Sequence, residues 1–143
     1  MLSLEIENKL KKLKNFHGVF SRDTLPMIKS YPASLIANVD THDLKGSHWI
    51  AIYINKDGFG EYFDSYGLPP LYFEFLDFLQ KFTKKFTWNK IALQCTSCIT
   101  CGHYSIVYIV LRSQDISYKN FISLFSANKF NNDIIIKNIF STL

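Results

Sequence analysis

Residues 48–67, HWIAIYINKDGFGEYFDSYG, decide the fold of this 143-residue chain. Two runs rich in β-branched and aromatic residues, His48–Ile54 and Glu61–Gly67, flank NKDGFG with its Asp57-Gly58 turn signal, and the pattern predicts an antiparallel hairpin. With Lys56-Asp57-Gly58 as a three-residue loop and Gly58 in the left-handed conformation, Asn55 faces Phe59 and even-numbered residues face even-numbered ones. Asp64 then lies opposite Ile50, diagonal to His48 on the same face, at roughly 7–8 Å between backbones. A two-residue Asp57-Gly58 turn would instead send the two side chains to opposite faces, and spacing leaves both registers open.

Upstream, Leu2, Ile6, Leu10 and Leu13 recur at helical spacing with Lys9, Lys11, Lys12 and Lys14 mostly on the other side, predicting a short amphipathic helix within residues 2–14. FHGVFSRDTLP (16–26), with Gly18, Asp23 and Pro26, reads as a loop; YPASLIANVD (31–40) reads as a buried strand through Leu35, Ile36 and Val39. Downstream, Pro69 and Pro70 precede Leu71–Phe86, where Tyr72, Phe75, Leu76, Leu79, Phe82 and Phe86 predict an amphipathic helix packed on the sheet. WNKIALQ (88–94) suits a further short strand. GHYSIVYIVLR (102–112) is apolar almost all the way round, as a central helix must be, although Val, Ile and Tyr equally suit a strand. FISLFSANKF and DIIIKNIFSTL predict one or two short helices. With no internal repeat, low-complexity segment or linker, the reading is a single domain over 1–143.

Composition narrows the function classes. A hydrophobic fraction of 48% with 20% charged residues supports a packed core and excludes a disordered tail. Sixteen Lys plus Arg against twelve Asp plus Glu leave +4, which favours an anionic partner without requiring one. No apolar run approaches the length of about 18 residues that a membrane span needs. MLSLEIENKLKKLKN has neither the apolar core nor the cleavage site of a secretory signal, so the expected setting is intracellular and reducing. Three cysteines, an odd number confined to residues 95–101, point to metal or catalytic chemistry rather than a disulfide framework.

Two constellations carry that chemistry. His48 and Asp64 supply an imidazole and a carboxylate to orient it, the second half of a nucleophilic triad. LQCTSCITCGHYS (93–105) places Cys95, Cys98 and Cys101 at C-x-x-C-x-x-C spacing with His103 two residues on. In a metal reading these four side chains bind zinc as a Cys₃His set, but structural zinc sites usually draw ligands from two separated knuckles, and here all four are local. In a catalytic reading one cysteine is the nucleophile. Cys101, directly before an apolar helix, would have its thiol pKa lowered by free N–H groups and the positive end of the helix dipole. Gly102 would let a substrate backbone approach closely. Gln94, seven residues earlier, offers an amide donor to complete an oxyanion hole with the Cys101 backbone N–H.

The combination of GSHWIAIYI, EYFDSYG and LQ-x₆-CGHY, in that order, resembles the adenovirus-type (adenain-like) cysteine proteases, especially those carried by Polinton (Maverick) elements and adintovirus-like genomes. GVFSRDTLP and YPASLIANVD are also similar to that subgroup, so the resemblance runs from about Phe16 to Arg112. It implies Cys101 as nucleophile, His48 as general base and acid, Asp64 as its orienter and Gln94 as the oxyanion-hole side chain, with Trp49 walling the site and lending its backbone N–H. Asp64 stands where adenoviral members have glutamate. The wider relationship to proteases of ubiquitin-like proteins implies an α+β fold, a mixed β-sheet packed against a central helix that carries the nucleophilic cysteine.

The implied activity is a cysteine endopeptidase that cleaves virion precursor polypeptides after small residues such as glycine. The setting would be the host nucleus or the virion, the state a monomer. No cofactor is required by this reading, although an activating peptide and DNA are partners of the adenoviral members, and the chain is shorter than theirs beyond the catalytic helix. Two other functions compete: a protease for ubiquitin-like modifiers, which shares the His, acid, Gln, Cys order, and a non-enzymatic zinc module that uses the cysteine cluster and the mildly basic surface to hold nucleic acid. The lysine-rich runs Lys9–Lys14 and Lys81–Lys85 are where DNA association of the resembled family would track a phosphate backbone.

Overall fold

A computed structural model describes residues 1–143. The hairpin forms as the three-residue-loop register requires. Strand β3 (Trp49–Ile54) pairs antiparallel with β4 (Phe59–Phe63), with Ala51 opposite Phe63 and Ile54 opposite Gly60. Gly58 sits at φ +87°, a conformation few residues other than glycine adopt, and donates its N–H to the Asn55 carbonyl at 3.0 Å. The Asn55 side chain closes the loop by accepting from the Asp57 and Phe59 N–H groups. His48 immediately precedes β3 and Asp64 immediately follows β4, so both stand at the same end of the hairpin.

Around the hairpin the sheet grows to five strands in the order β1-β2-β3-β4-β5, with β1 (Phe16–Ser21), β2 (Ala33–Asn38) and β5 (Lys85–Trp88). β1 runs parallel to β2, β2 and β3 antiparallel, and β5 parallel to β4, so the sheet is mixed. Helices cover both faces. Against one face lie α1 (Ser3–Leu10), α3 (Cys101–Ser113), α4 (Tyr118–Ile122) and α5 (Lys129–Ser141), enclosing Ile36, Ala51, Tyr53 and Phe63 from the strands with Tyr104, Val107 and Tyr108. Against the other lies α2 (Phe73–Phe82), whose Phe75, Phe78 and Leu79 meet Leu35, Ile50, Ile52, Ile54 and Tyr62. Burial on both faces is why ASLIAN and WIAIYI read as nearly continuous apolar runs rather than as alternations. α3 is buried over most of its circumference for the same reason, which settles the segment whose composition suited either a helix or a strand.

Three expectations are corrected. FHGVFSRDTLP is not a loop throughout: Phe16–Ser21 is an edge strand, irregular where Gly18 takes φ +131° and the register shifts between Phe16 and Val19. The helix expected to reach Phe86 stops at Phe82, because the chain turns extended at Thr83 and Phe86 enters β5. The strand expected at 88–94 lies earlier, at Lys85–Trp88, and residues 89–94 run without regular structure beneath the site. The tail forms two helices, the second of 13 residues.

Candidate active site

Cys101 is the first residue of α3, and the ends of β3 and β4 bring the other side chains to it. His48 Nε2 lies 2.8 Å from Asp64 Oδ1, and both side chains are largely buried. That leaves Nδ1 as the imidazole nitrogen for the Cys101 thiol, with which His48 makes a side-chain hydrogen bond. The His48 ring stacks on Tyr66 with centroids 4.8 Å apart and planes 23° from parallel, which fixes its orientation from the side.

Asp64 is held by a lattice of local and distant bonds. Its Oδ1 accepts from the Tyr66 N–H at 2.8 Å, its backbone N–H donates to Asn89 Oδ1 at 2.9 Å, and its carbonyl accepts from Asn89 Nδ2 at 2.6 Å. Asn89 is buried and commits its whole amide to this turn and to the Ile91 carbonyl. At Gly67, φ +73°, an added Cβ would come within 2.7 Å of the Ala92 nitrogen and the Ile91 carbonyl carbon, so only glycine lets the Asp64–Gly67 turn close against the 91–94 segment. Leu93 and Gln94 then donate their N–H groups to the Ser65 carbonyl at 2.8 and 3.1 Å. Asn89, Ser65 and Tyr66 carry no sequence motif of their own. Their bonds join segments about 25 residues apart, and only the proximity of DSY to the acid hints at them.

The electrostatics favour a charged pair. Burial pushes the His48 imidazolium down, but its hydrogen bonds to Asp64 and Cys101 and the charges behind them outweigh burial and lift its pKa to about 9. Burial likewise pushes the Cys101 thiol up; the hydrogen bond from His48, the Trp49 N–H, the imidazolium charge and the Gly102 N–H together carry it below the ordinary thiol range. A histidine raised and a cysteine lowered both favour the pair in which the proton resides on the imidazole. The Trp49 backbone thus faces the sulfur, while its indole N–H donates to the Met1 carbonyl at 3.0 Å.

Two neighbours make contacts that the sequence alone does not show. Gln94 is buried, accepting from Ser65 Oγ at 2.5 Å and donating one amide N–H to the Cys98 carbonyl at 2.7 Å. Its second amide N–H has no hydrogen-bond partner. Gly102 is not open to a substrate backbone: it is buried, and an added Cβ would meet Met1 Sδ at 3.0 Å and Trp49 Cδ1 at 3.5 Å. Its small size serves packing under Met1, and its N–H serves the sulfur.

The local Cys₃His zinc set does not assemble. Cys101 turns to His48, and His103 packs edge-on against Phe140 with centroids 4.5 Å apart. Cys95 and Cys98 instead meet Asp133 from α5, with all three donor atoms within 4.8 Å of one another. There the Cys98 thiol is pushed up to about 11, first by its hydrogen bond to Asp133, which makes it the opposite of Cys101 as a nucleophile.

The architecture, a mixed sheet flanked by helices with a cysteine opening the central one, is that of the ubiquitin-like-protein protease type. Among solved structures the chain is similar to the ASFV pS273R protease, with a TM-score of 0.54 and 28% identity, covering 70% of this chain and 43% of that one. The chain therefore spans less than half the length of that protease. No protein-family model matches the chain, and no curated protein matches it. No helix is long and apolar enough to cross a membrane.

Proposed function

We propose that the protein is a cysteine endopeptidase in which Cys101 attacks a peptide carbonyl, His48 shuttles the proton, Asp64 orients the imidazole and Gln94 helps to bind the oxyanion. The observation that carries this reading is the continuous hydrogen-bonded chain from the buried Asp64 carboxylate through His48 to a thiol whose pKa is lowered. Similarity to the ASFV protease supports the same reaction class from outside the chain's own residues.

The steps follow from the geometry. The Cys101 thiolate adds to the scissile carbonyl, and charge develops on an oxygen that the free Gln94 amide N–H and the N–H groups at the start of α3 can stabilise. The imidazolium then protonates the leaving amine, which breaks the C–N bond and leaves a thioester. Neutral His48 next takes a proton from water, hydroxide equivalent adds to the thioester, and the thiolate departs. Throughout, Asp64 holds Nε2–H, so Nδ1 is the nitrogen that gives and takes the proton.

The substrate class under this proposal is a polypeptide, more narrowly a virion precursor of a virus or virus-like element, cut after small residues such as glycine, as the resemblance to Polinton-carried adenovirus-type proteases implies. DNA and an activating peptide are accessory partners on the same grounds, and the enzyme acts as a monomer. The lysines of residues 9–14 and 81–85 are exposed, but the two runs start from helices on opposite faces of the sheet and do not form one continuous track. Cleavage of a glycine-containing precursor by the wild type and by neither Cys101→Ala nor His48→Ala is the expected result. Retained cleavage in either variant would overturn the assignment. A preference for Gly-Gly fusions of ubiquitin-like proteins over virion precursors would move the substrate class, not the chemistry.

A further inference from the structure

Cys95, Cys98 and Asp133 form a compact donor set outside the proposed active site. The C-x-x-C turn is closed by the Cys98 N–H donating to the Cys95 carbonyl at 3.1 Å, which holds both sulfurs on one side. Asp133 reaches them from α5 and is almost fully buried at 5% exposure. It has no cationic partner: the ion pairs of the molecule involve Asp23, Glu61, Asp64, Glu74 and Asp77. Its carboxylate is nonetheless fixed in place, accepting from Tyr104 Oη at 2.8 Å and Thr100 Oγ1 at 3.1 Å on Oδ1, and from the Cys95 N–H at 3.3 Å on Oδ2. A buried carboxylate with no counter-cation, held by fixed donors beside two thiols that can ionise onto a metal, is a preformed donor set for a divalent cation.

We propose that Cys95, Cys98 and Asp133 bind a zinc-type divalent metal, with water completing a four-coordinate set. Two thiolates favour a borderline-soft ion over magnesium or calcium, and the carboxylate is an ordinary zinc ligand. On binding, both thiol protons leave to solvent and the Cys98 hydrogen bond to Asp133 is replaced by metal bonds. The Tyr104, Thr100 and Cys95 N–H donors remain as the outer hydrogen bonds that orient a ligating carboxylate. The site ties the 95–98 turn to α5, and through the Cys98 carbonyl it steadies Gln94. The metal proposal does not depend on proteolysis.

The test uses full-length Cys101→Ala, which removes the thiol paired with His48 as a competing metal site. Cobalt(II) titrated into the reduced protein should give one equivalent of bound ion with the strong visible bands of four-coordinate cobalt and sulfur-to-cobalt charge transfer, displaced by zinc. Adding Cys95→Ser or Cys98→Ser should weaken binding about 100-fold or more and roughly halve the charge-transfer intensity per bound ion, and the variant carrying both changes should lose the band. Asp133→Asn should weaken it while retaining that band; because Asp133 also anchors Tyr104, the two cysteine variants decide the result if this one does not fold. No charge-transfer band, or binding unaffected by both serine variants, overturns the proposal. Failure of metal binding together with ready formation of a Cys95–Cys98 disulfide under peroxide would overturn it in favour of a redox pair.

Discussion

The two ends of α3 each bring a charged cluster against the β3–β4 hairpin, and the clusters are built on different terms. At the C-terminal end Arg112 holds Glu61 in a two-pronged pair, Nε to Oε1 at 2.9 Å and Nη2 to Oε2 at 2.8 Å, while Tyr108 donates to the same carboxylate. Arg112 also caps the Ile116 carbonyl at 2.8 Å and lies 4.5 Å from the Tyr53 ring centroid. Every polar group here is bonded to another of the cluster, so this end is a clamp. At the N-terminal end the charges of Cys101 and His48 exist only by transfer of one proton between them, and one Gln94 N–H is left without a partner. The two carboxylates, Glu61 and Asp64, lie close together along β4 and its turn. One is satisfied for stability and the other is directed at a group that must change protonation.

The largest effect expected is on chemistry alone. Cys101→Ala should lower kcat/KM by about 10⁴-fold or more with the thermal midpoint little changed, measured by peptide cleavage and calorimetry on one preparation. Next, Asp64→Asn should cost about 10²- to 10⁴-fold. In the wild type the thiolate–imidazolium pair persists from the depressed Cys101 pKa up to about 9, so kcat/KM should fall above that pH as the imidazolium loses its proton. In Asp64→Asn the basic limb should move to lower pH, because the carboxylate that raises the imidazolium pKa is gone. A basic limb that stays near 9 would show that Asp64 does not act through His48.

At the other end Glu61→Gln should cost about 3 kcal/mol in urea unfolding by leaving Arg112 buried without its counter-charge, with the pH profile of the folded enzyme unchanged. The contrast between the two ends sharpens if Glu61→Gln with Arg112→Met recovers most of that loss, as replacing both members of a buried pair often does. Smaller still, Gly67→Ala should cost about 1–3 kcal/mol and lower kcat/KM without moving its pH limbs, since it displaces the Asp64 turn from the 91–92 backbone rather than altering a titrating group.

Stability against pH separates the groups further. His48 has its native pKa raised, so its contribution is full below about 6.5 and is lost as pH climbs through the native value. Cys101 is depressed, so its contribution is present above the unfolded thiol pKa and is lost as pH falls through the native one. The two slopes oppose each other in the wild type. In Cys101→Ala the histidine slope that remains is the part due to Asp64, so any decline of the melting temperature with rising pH should be shallower than the wild-type histidine contribution and absent in the double variant that adds His48→Ala.

Local signals made much of this legible in the sequence. The hairpin follows from Asp57-Gly58 and its flanking strands, but the sequence leaves two registers open, and it is the three-residue loop of the structure that puts His48 and Asp64 together at one end. Long-range pairing was not legible. β1 looked like a loop because Gly18 and Pro26 punctuate it, and its strand character comes from lying beside β2. Phe86 kept helical spacing with Phe82 while belonging to β5, since a four-residue interval fits a helix as well as a chain that turns. The three cysteines looked like one cluster and are two, because Asp133 comes to Cys95 and Cys98 from far downstream and His48 draws Cys101 away. Gly102 suggests room for substrate in the sequence, and the residue that fills the space, Met1, lies about a hundred residues away, outside the stretch that carries the resemblance.

The claim at the centre is that Cys101 is a thiolate made by His48. The most direct test is the pH dependence of Cys101 alkylation by a small neutral electrophile, followed by mass spectrometry. The predicted result is a rate whose titration midpoint lies below the ordinary thiol pKa of about 8.5 in the wild type and moves up to that range in His48→Ala. Identical titration of Cys101 in both proteins, in the ordinary thiol range, would contradict it.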